Sequence, residues 1–500
     1  MSATPTRKQW PFDTVLVANR GEIAARVLRT VQGLGMRGAV IYHAADRATP
    51  AVRLADQAVE VTGSNPAAAY LDAGQILRAA NTAGAGAIHP GYGFLSENAS
   101  FARAVEAAGI IFIGPTPEQI ELMGDKVRAR SFVERRGFPV APSAIEDDDP
   151  ATFTDRARRL GAPLLIKPAA GGGGKGMRIV RDLALLESEI ARARSEGERY
   201  FNDGRLYVER YIENPRHIEV QVLGDAHDNV VHVFERECSV QRRFQKIIEE
   251  TPSPALTPQL RQHICETAAA IARSARYRNA GTVEFIFDRS GVFYFLEMNT
   301  RLQVEHPVTE EITGMDLVFE QLRIAAGEPL GYCQADIHSR GHAIEFRLYA
   351  EDSARGFTPT TGPILALHPP QGEDVRWESG IELGGEITSA FDPMIAKLIV
   401  RGGDRPDAIR RADRALRNTV LLGCKTNIEF LRRVIAHPAF IEGDVHTGFL
   451  DANPQIAAEP EMPVARLHVV LAAAALSTRL LVDAADAVPA LHAAIGSWRN

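Results

Sequence analysis

The chain has 500 residues, with 56 Lys and Arg against 63 Asp and Glu, giving a formal net charge of -7. Hydrophobic residues make up 45% and charged residues 24%, ordinary globular values that exclude a disordered or fibrous chain. The mild acidity excludes a dedicated nucleic-acid binder, and at about 150 residues per domain the length allows roughly three domains.

Strand and helix patterns alternate over the first hundred residues. Thr14–Ala18 is a short apolar run followed by an amphipathic stretch to Leu34, Ala39–Tyr42 is the next strand, Tyr70–Thr82 a helix, and Ala87–Ile88 and Ile110–Ile113 further strands. Strands separated by helices imply parallel units with right-handed crossovers, hence an open α/β sheet. Gly33-Leu-Gly35-Met-Arg-Gly38 spells G-x-G-x-x-G, but it follows a helix and precedes a strand. The dinucleotide fingerprint needs the reverse order, so this is a helix end and NAD binding is not supported.

After Phe138 and the turn Asp147-Asp-Asp-Pro150 comes a small α+β pattern: Leu164–Pro168, a glycine run, Met177–Val180, a helix near Leu183–Ser195 and Leu206–Glu209. Gly171-Gly172-Gly173-Gly174-Lys175-Gly176 can wrap phosphate oxygens with backbone N–H groups. It is no Walker A loop, because Lys175 is followed by Gly rather than Ser or Thr. An isolated glycine run is ordinarily a flexible hairpin tip, but Lys167 on the preceding strand supplies a cation for a phosphate lid.

Beyond Pro215, long alternating strands (His217–Leu223, Val230–Glu237, Thr282–Asp288, Val292–Glu297, His342–Tyr349) with helices near Pro258–Tyr277 and Gly314–Gly327 predict an antiparallel domain. A two-residue hairpin loop at Arg289-Ser290 would set Glu284 opposite Phe295 and bring Glu284, Glu297 and Asn299 to one side. Two carboxylates and an amide oxygen are hard ligands for Mg²⁺ or Mn²⁺ bridging nucleotide phosphates; the alternative is a solvated polar face. Arg301, Gln303 and Glu305 are expected to continue that strand on alternate positions, offering a cation, an amide and a carboxylate to a small anion and its proton. Gln241-Arg-Arg-Phe-Gln-Lys246 is a basic stretch, by itself a solvated loop, and Arg347 lies on an alternating strand where a structural salt bridge is the plain alternative.

The tail from Pro460 is rich in Ala, and its last residues, Gly496–Asn500, resemble neither a helix cap nor a domain end, as at a junction into another module. No secretory h-region opens the chain, and the most apolar window, Val469–Leu476, is too short for a bilayer. Cys238, Cys265, Cys333 and Cys424 are scattered singly, which fits a reducing compartment, the cytoplasm, and neither a disulfide framework nor a zinc knuckle. No membrane and no nucleic acid are expected as partners.

Seven motifs together carry a family resemblance: Val17-Ala-Asn-Arg-Gly-Glu-Ile-Ala24, His89-Pro-Gly-Tyr-Gly-Phe-Leu-Ser-Glu-Asn98, Met123-Gly-Asp-Lys126, Lys167 with Gly171–Met177, Cys238-Ser-Val-Gln-Arg-Arg243, Glu297-Met-Asn-Thr-Arg-Leu-Gln-Val-Glu-His-Pro307 and Phe391-Asp-Pro-Met-Ile-Ala-Lys397. From about Asp13 to Leu450 the chain resembles biotin carboxylase, an ATP-grasp enzyme, and its tail resembles the start of the linker in acyl-CoA carboxylase α subunits. The resemblance implies an N-terminal open parallel α/β domain (1–114), a helical linker (115–138), an ATP-grasp lid (139–211), a core with an antiparallel-sheet C-terminal domain (212–456) and a tail leading to a further module (457–500).

It further implies ATP- and bicarbonate-dependent carboxylation of biotin through carboxyphosphate. Lys126, Lys167, Glu209, His217 and Gln241 would contact ATP, with the Gly171–Gly176 loop closing over its phosphates. Glu284, Glu297 and Asn299 would hold the metal, and Lys246, Arg301, Gln303 and the Val304 backbone would hold bicarbonate. Glu305 would be the base, and Arg347 would stabilise the biotin enolate. No Met-Lys-Met biotinylation motif occurs, which implies a separate biotin carboxyl carrier domain or protein; a carboxyltransferase subunit and a homo-oligomer or larger holoenzyme are the other partners implied. One departure stands out, Phe244, where many relatives have His. A ligase making an acyl phosphate for an amine and a weakly catalytic nucleotide scaffold are the competing expectations.

Overall fold

A computed structural model describes residues 10–169, 176–201, 203–459 and 463–476. The expected phosphate-loop residues Gly171, Gly172, Gly173, Gly174 and Lys175, and the tail end Gly496–Asn500, lie outside the described residues. The chain forms one compact unit ending at Ile456 and a second beginning at Ala457, whose described residues include the helix Val464–Leu476. Among the described residues no helix is long and apolar enough to cross a membrane.

Strands β1 (Thr14–Val17), β2 (Arg37–Tyr42), β3 (Gln57–Glu60), β4 (Ala87–His89) and β5 (Ile111–Phe112) pair in parallel in the order β3-β2-β1-β4-β5, as their spacing by helices requires. The helix Gly21–Gly33 buries Ile23, Val27, Leu28 and Val31, and the chain leaves it through Gly35 at φ +71°. The first glycine pattern is therefore a helix exit. The helix predicted from Tyr70 starts only at Ala73, where the Asp72 side chain accepts from the Gln75 N–H; Tyr70 itself ends a separate short turn of helix.

The lid is a four-stranded antiparallel sheet of β6 (Ser143–Ile145), β7 (Leu164–Pro168), β8 (Arg178–Val180) and β9 (Leu206–Arg210) in the order β6-β9-β7-β8, backed by the helix Leu186–Phe201. That helix runs past the predicted Ser195.

The largest sheet has eight antiparallel strands. β10 (Arg216–Gly224), β11 (Val230–Arg242), β12 (Gln245–Thr251), β13 (Asn279–Phe287), β14 (Phe293–Asn299) and β15 (His342–Tyr349) join the strands Met394–Gly402 and Val375–Ser379 in the order β14-β13-β10-β11-β12-β15, then those two. Three expectations are corrected here. The basic stretch at Gln241–Lys246 is no solvated loop: β11 runs to Arg242, β12 starts at Gln245, and Arg243-Phe244 form a two-residue hairpin turn with φ of +48° and +66°. Both central residues at positive φ define the turn that suits strand twist, and Asn-Gly ordinarily occupies it.

The β13–β14 connection is also longer than predicted. Asp288 caps it, its carboxylate accepting from Ser290 and Val292 N–H, so Phe285 rather than Glu284 faces Phe295. A one-residue bulge after Phe285 then sets Glu284 directly opposite Glu297. Without it Glu297 would point to the other face. Finally, Arg301, Gln303 and Glu305 do not continue β14. The strand stops at Asn299 and residues 300–305 turn into the helix His306–Thr313, with Glu305 at its N-cap and Pro307 in its first turn. Proline there has φ preset for a helix start and no N–H to give a strand ladder.

Candidate active site

Two clusters meet on one face of the eight-stranded sheet. A cavity between this sheet and the lid is lined by Lys126, Lys167, Glu209, His217, Gln241, Glu284 and Glu297, with Tyr207, Ile286, Leu296 and Phe244 as its apolar walls. Lys167, from β7, pairs with Glu209, from the adjacent β9, at 2.5 Å, and Lys126 Nζ pairs with Glu297 Oε2 at 2.9 Å. The Glu297 carboxylate is the main reason the Lys126 ammonium is held above its ordinary pKa, outweighing burial. Gln241 Nε2 lies 2.8 Å from His217 Nδ1, and His217 Nε2 lies 2.8 Å from Glu284 Oε2. The imidazole can therefore accept from the amide and donate to the carboxylate. Gly176 lies two residues before β8 at φ +77°, where a Cβ would stand 2.9 Å from Pro168; the glycine is required by its backbone.

Glu284 anchors the junction of the two clusters. Lys246 Nζ, Asn299 Nδ2 and Gln303 Nε2 all donate to its Oε1, at 2.9, 2.8 and 2.8 Å. Burial opposes its ionisation, but Lys246 and His217 outweigh burial and hold it well below the usual carboxylate range. Glu284 and Glu297 face each other across the bulge, and the Asn299 oxygen, which accepts from Arg301 at 2.9 Å, is two residues on. Two carboxylates and a carbonyl-type oxygen on one face form a hard donor set that fits Mg²⁺.

The second cluster centres on Lys246. Its Nζ also reaches Glu219 at 2.5 Å, Gln303 Oε1 at 3.2 Å and Glu305 Oε1 at 2.7 Å. Arg347 NH2 meets the other oxygen of Glu305 at 3.0 Å, so this carboxylate, 1% exposed, is clamped between two cations. Burial alone would raise its pKa; Lys246, Arg347 and Arg236 reverse that and keep it ionised. Arg301 is tied to Glu97 at 2.9 Å and lines a second hollow with Glu297 and Asn299. The Val304 carbonyl accepts from the buried Lys397 at 2.8 Å, while among the described residues its N–H meets no acceptor. Every described residue expected at the site, Gly176 apart, therefore falls in one of two adjoining groups.

Several members of these groups were not foreseen. Glu219 and Arg236 pair at 2.5 Å with no exposure, Glu97 holds Arg301, and Lys397 backs the loop. The alternation His217-Ile-Glu-Val-Gln marks two unlike faces of β10, but alternation alone does not say that the polar face is the one turned inward. Glu97 lies within the sequence His89–Asn98, whose polar residues carry no spacing signature of their own.

Three family models match the chain: "Biotin carboxylase, N-terminal domain" over 11–120, "Carbamoyl-phosphate synthase L chain, ATP binding domain" over 125–333, and "Biotin carboxylase C-terminal domain" over 345–452. The chain is 49% identical over 442 residues to the biotin carboxylase of Halalkalibacterium halodurans, covering 88% of this chain and 97% of that one. It is 44% identical over 464 residues to the mitochondrial methylcrotonoyl-CoA carboxylase subunit alpha of Mus musculus, covering 92% of this chain and 65% of the mouse subunit. Among solved structures, the biotin carboxylase domain dimer of Hydrogenobacter thermophilus 2-oxoglutarate carboxylase, in complex with MgADP, ADP and bicarbonate, superposes with a TM-score of 0.87 at 45% identity, covering 91% of this chain and all of that one.

Proposed function

The chain belongs to the biotin carboxylase family and carries out ATP- and bicarbonate-dependent carboxylation of biotin, and from that premise we propose how its residues divide the work. Lys126, Lys167, Glu209, His217 and Gln241 bind the nucleotide in the cavity under the lid. Glu284, Glu297 and Asn299 are the set that would hold Mg²⁺, which when bound supplies charge neutralisation to the nucleotide phosphates. Lys246, Arg301, Gln303 and the open Val304 N–H receive bicarbonate beside them.

Glu305 takes the bicarbonate proton while a bicarbonate oxygen attacks the γ-phosphorus and the bond to the bridging oxygen of ADP breaks. Carboxyphosphate then gives CO₂ and phosphate, phosphate takes the biotin N1′ proton, and the enolate attacks CO₂ with Arg347 facing its developing charge. The observation that carries this reading is the clamp on Glu305: an ionised, buried carboxylate whose two oxygens are each held by a cation, six residues past the end of the proposed metal-binding strand at Asn299. Phosphoryl transfer needs positioning and neutralisation more than covalent help, and the adjoining clusters offer both.

Biotin reaches Arg347 on a carrier domain or separate carrier protein, and a carboxyltransferase subunit takes the product onward; the likeness to an acyl-CoA carboxylase α subunit supports both. A homo-oligomer is supported by the dimeric relative. The four cysteines are free, in keeping with work in the cytoplasm. We divide the chain at 1–114, 115–138, 139–211, 212–456 and 457–500.

The test is bicarbonate-dependent ATP cleavage with free biotin and mass spectrometry of carboxybiotin. Glu305→Gln is expected to abolish turnover while MgADP binding persists. Unchanged turnover in that variant removes the assigned base.

A further inference from the structure

Behind the clamp on Glu305 lies a second pair of acids that the reaction as described does not use. Glu249 on β12 and Glu345 on β15 are directly opposite each other in the antiparallel register, and both are fully buried. Facing residues in such a pair hold their side chains on one side of the sheet, so two carboxyls are brought together without water. Arg347, two residues along β15, joins this pair to the base. Its Nε donates to Glu249 Oε1 at 2.6 Å and its NH2 to Glu305 Oε2 at 3.0 Å.

The remaining oxygens are unmatched. Neither Glu345 oxygen, nor Glu249 Oε2, has a hydrogen-bond partner among the described residues. Nearby cations are already engaged: Lys246 by Glu219, Glu284 and Glu305, Arg236 by Glu219, and Lys397 by Glu22, Glu378 and the Val304 carbonyl. A dry carboxyl facing another, with no donor on either oxygen, holds its proton. Glu345 is accordingly the neutral member of the pair and Glu249 the one that can change charge.

We propose that Glu249, opposed to the neutral Glu345, is a positioning residue that sets how much of the Arg347 charge reaches the base Glu305, so that the ionisation of Glu249 tunes the bicarbonate half of the reaction. The proposal rests on the assignment of Glu305 and Arg347 given above. When Glu249 carries its proton, Arg347 is left wholly to Glu305 and depresses its proton affinity. When Glu249 is ionised, the guanidinium is shared and Glu305 becomes the stronger base. Turnover therefore rises with pH through the titration of Glu249. Burial raises that titration, Arg347 lowers it, Glu305 raises it and Lys246 lowers it, and the balance stands at about 7.

Other groups around Glu249 are accounted for. β11 presents the buried thiol of Cys238, which burial keeps protonated, and β15 presents Glu345 and Arg347. The helix His306–Thr313, packed over this face, turns His306 to the Gln303 carbonyl and Glu310 to Arg26 and Arg376.

The experiment measures bicarbonate-dependent ATP cleavage against pH, with biotin and saturating bicarbonate, for the intact protein and for Glu249→Gln, Glu345→Gln and Glu305→Gln, with MgADP binding as a separate measure of an intact fold. The unaltered protein is expected to show a step near pH 7 that is lost in Glu249→Gln, leaving the rate flat there at its low-pH value. Glu345→Gln, which exchanges a neutral acid for a neutral amide, keeps the step. Its infrared spectrum is expected to lose the C=O stretch of a buried protonated carboxyl at neutral pH. Should Glu249→Gln fail to bind MgADP, Glu249→Asp, which draws the charge back from Arg347, is expected to move the step to higher pH.

A step that survives Glu249→Gln or stands unmoved in Glu249→Asp, a step lost in Glu345→Gln, or a flat profile in the unaltered protein overturns the proposal. Wild-type turnover in Glu305→Gln would instead overturn the assignment of the base.

Discussion

In the parallel sheet the strand residues Val15, Leu16, Val17, Val40 and Ile88 have no exposure and are all apolar; in the antiparallel sheet Glu219, Arg236, Glu249, Glu345 and Lys397 have none either, and all are ionisable. The first sheet is stabilised by burial of hydrocarbon. The second keeps five charged-type side chains in a dry interior, where similar-sized apolar residues would hold the fold as well or better. What separates them is the site: the buried charges abut the Lys246–Glu305–Arg347 cluster, while the core around Leu16 and Ile88 holds none of its residues. Charge is retained where anions are to be handled, and excluded where only packing matters.

The contrast is most exposed at Lys246. Lys246→Met takes one cation from Glu219, Glu284 and Glu305 together, and carboxybiotin formation is expected to fall by about 10³-fold, the loss typical of an essential charged donor. Arg236→Met leaves Glu219 with one cation fewer and should lower stability by about 3–5 kcal/mol in denaturant titration. Adding Glu219→Leu to it is expected to restore much of that stability and none of the turnover. Recovery of both would erase the contrast between the sheets.

Leu16→Ala, in the apolar sheet, should cost about 2–5 kcal/mol while turnover per folded molecule stays the same. A large fall in that specific rate would show that the two sheets are not separate in function.

A pH effect also belongs to the parallel side. Burial in β4 lowers the His89 pKa to about 4, below its unfolded value. The unfolded chain then binds the proton more readily, so stability is full above about pH 6.5 and falls as pH drops toward 4, by about 3 kcal/mol in all. Thermal unfolding in that window should flatten in His89→Gln. The smallest effect is expected at the rim of the cavity. Phe244 is 54% exposed, and Phe244→His should change MgADP affinity by less than about tenfold.

Four of the five strands of the N-terminal sheet were legible because each lies in an apolar run; the edge strand β3, Gln57-Ala-Val-Glu60, was missed because polar residues stand at both its ends. Most of the residues proposed to hold metal and bicarbonate were legible because they sit within a dozen consecutive positions, Glu297 to Glu305, and one strand earlier at Glu284; Lys246, on β12, lies apart from them. The pairing of Glu284 with Glu297 came out on the predicted face through a different register, since a bulge and a longer loop each shift it and the shifts compensate. No local pattern announces a bulge. Glu219, Arg236, Glu249 and Glu345 were not legible for a related reason: period-2 alternation in β10, β12 and β15 distinguishes two faces without telling which one another element covers. The turn at Arg243-Phe244 was missed because neither residue is of the kind that turn ordinarily selects.

The ladder between β12 and β15 joins a strand from the stretch matched as an ATP-binding domain to one from the stretch matched as the C-terminal domain, Glu249 against Glu345 and Ile248 against Phe346. Two blocks that inheritance treats as separable have thus been sewn into a single fabric. An excised N-terminal fragment stopping before His342 would bare the rim of β12, with Ile247 and Ile248 beside a carboxylate shorn of its guanidinium, and such an open hem recruits foreign strands. Grafts between relatives should therefore carry both blocks from one parent.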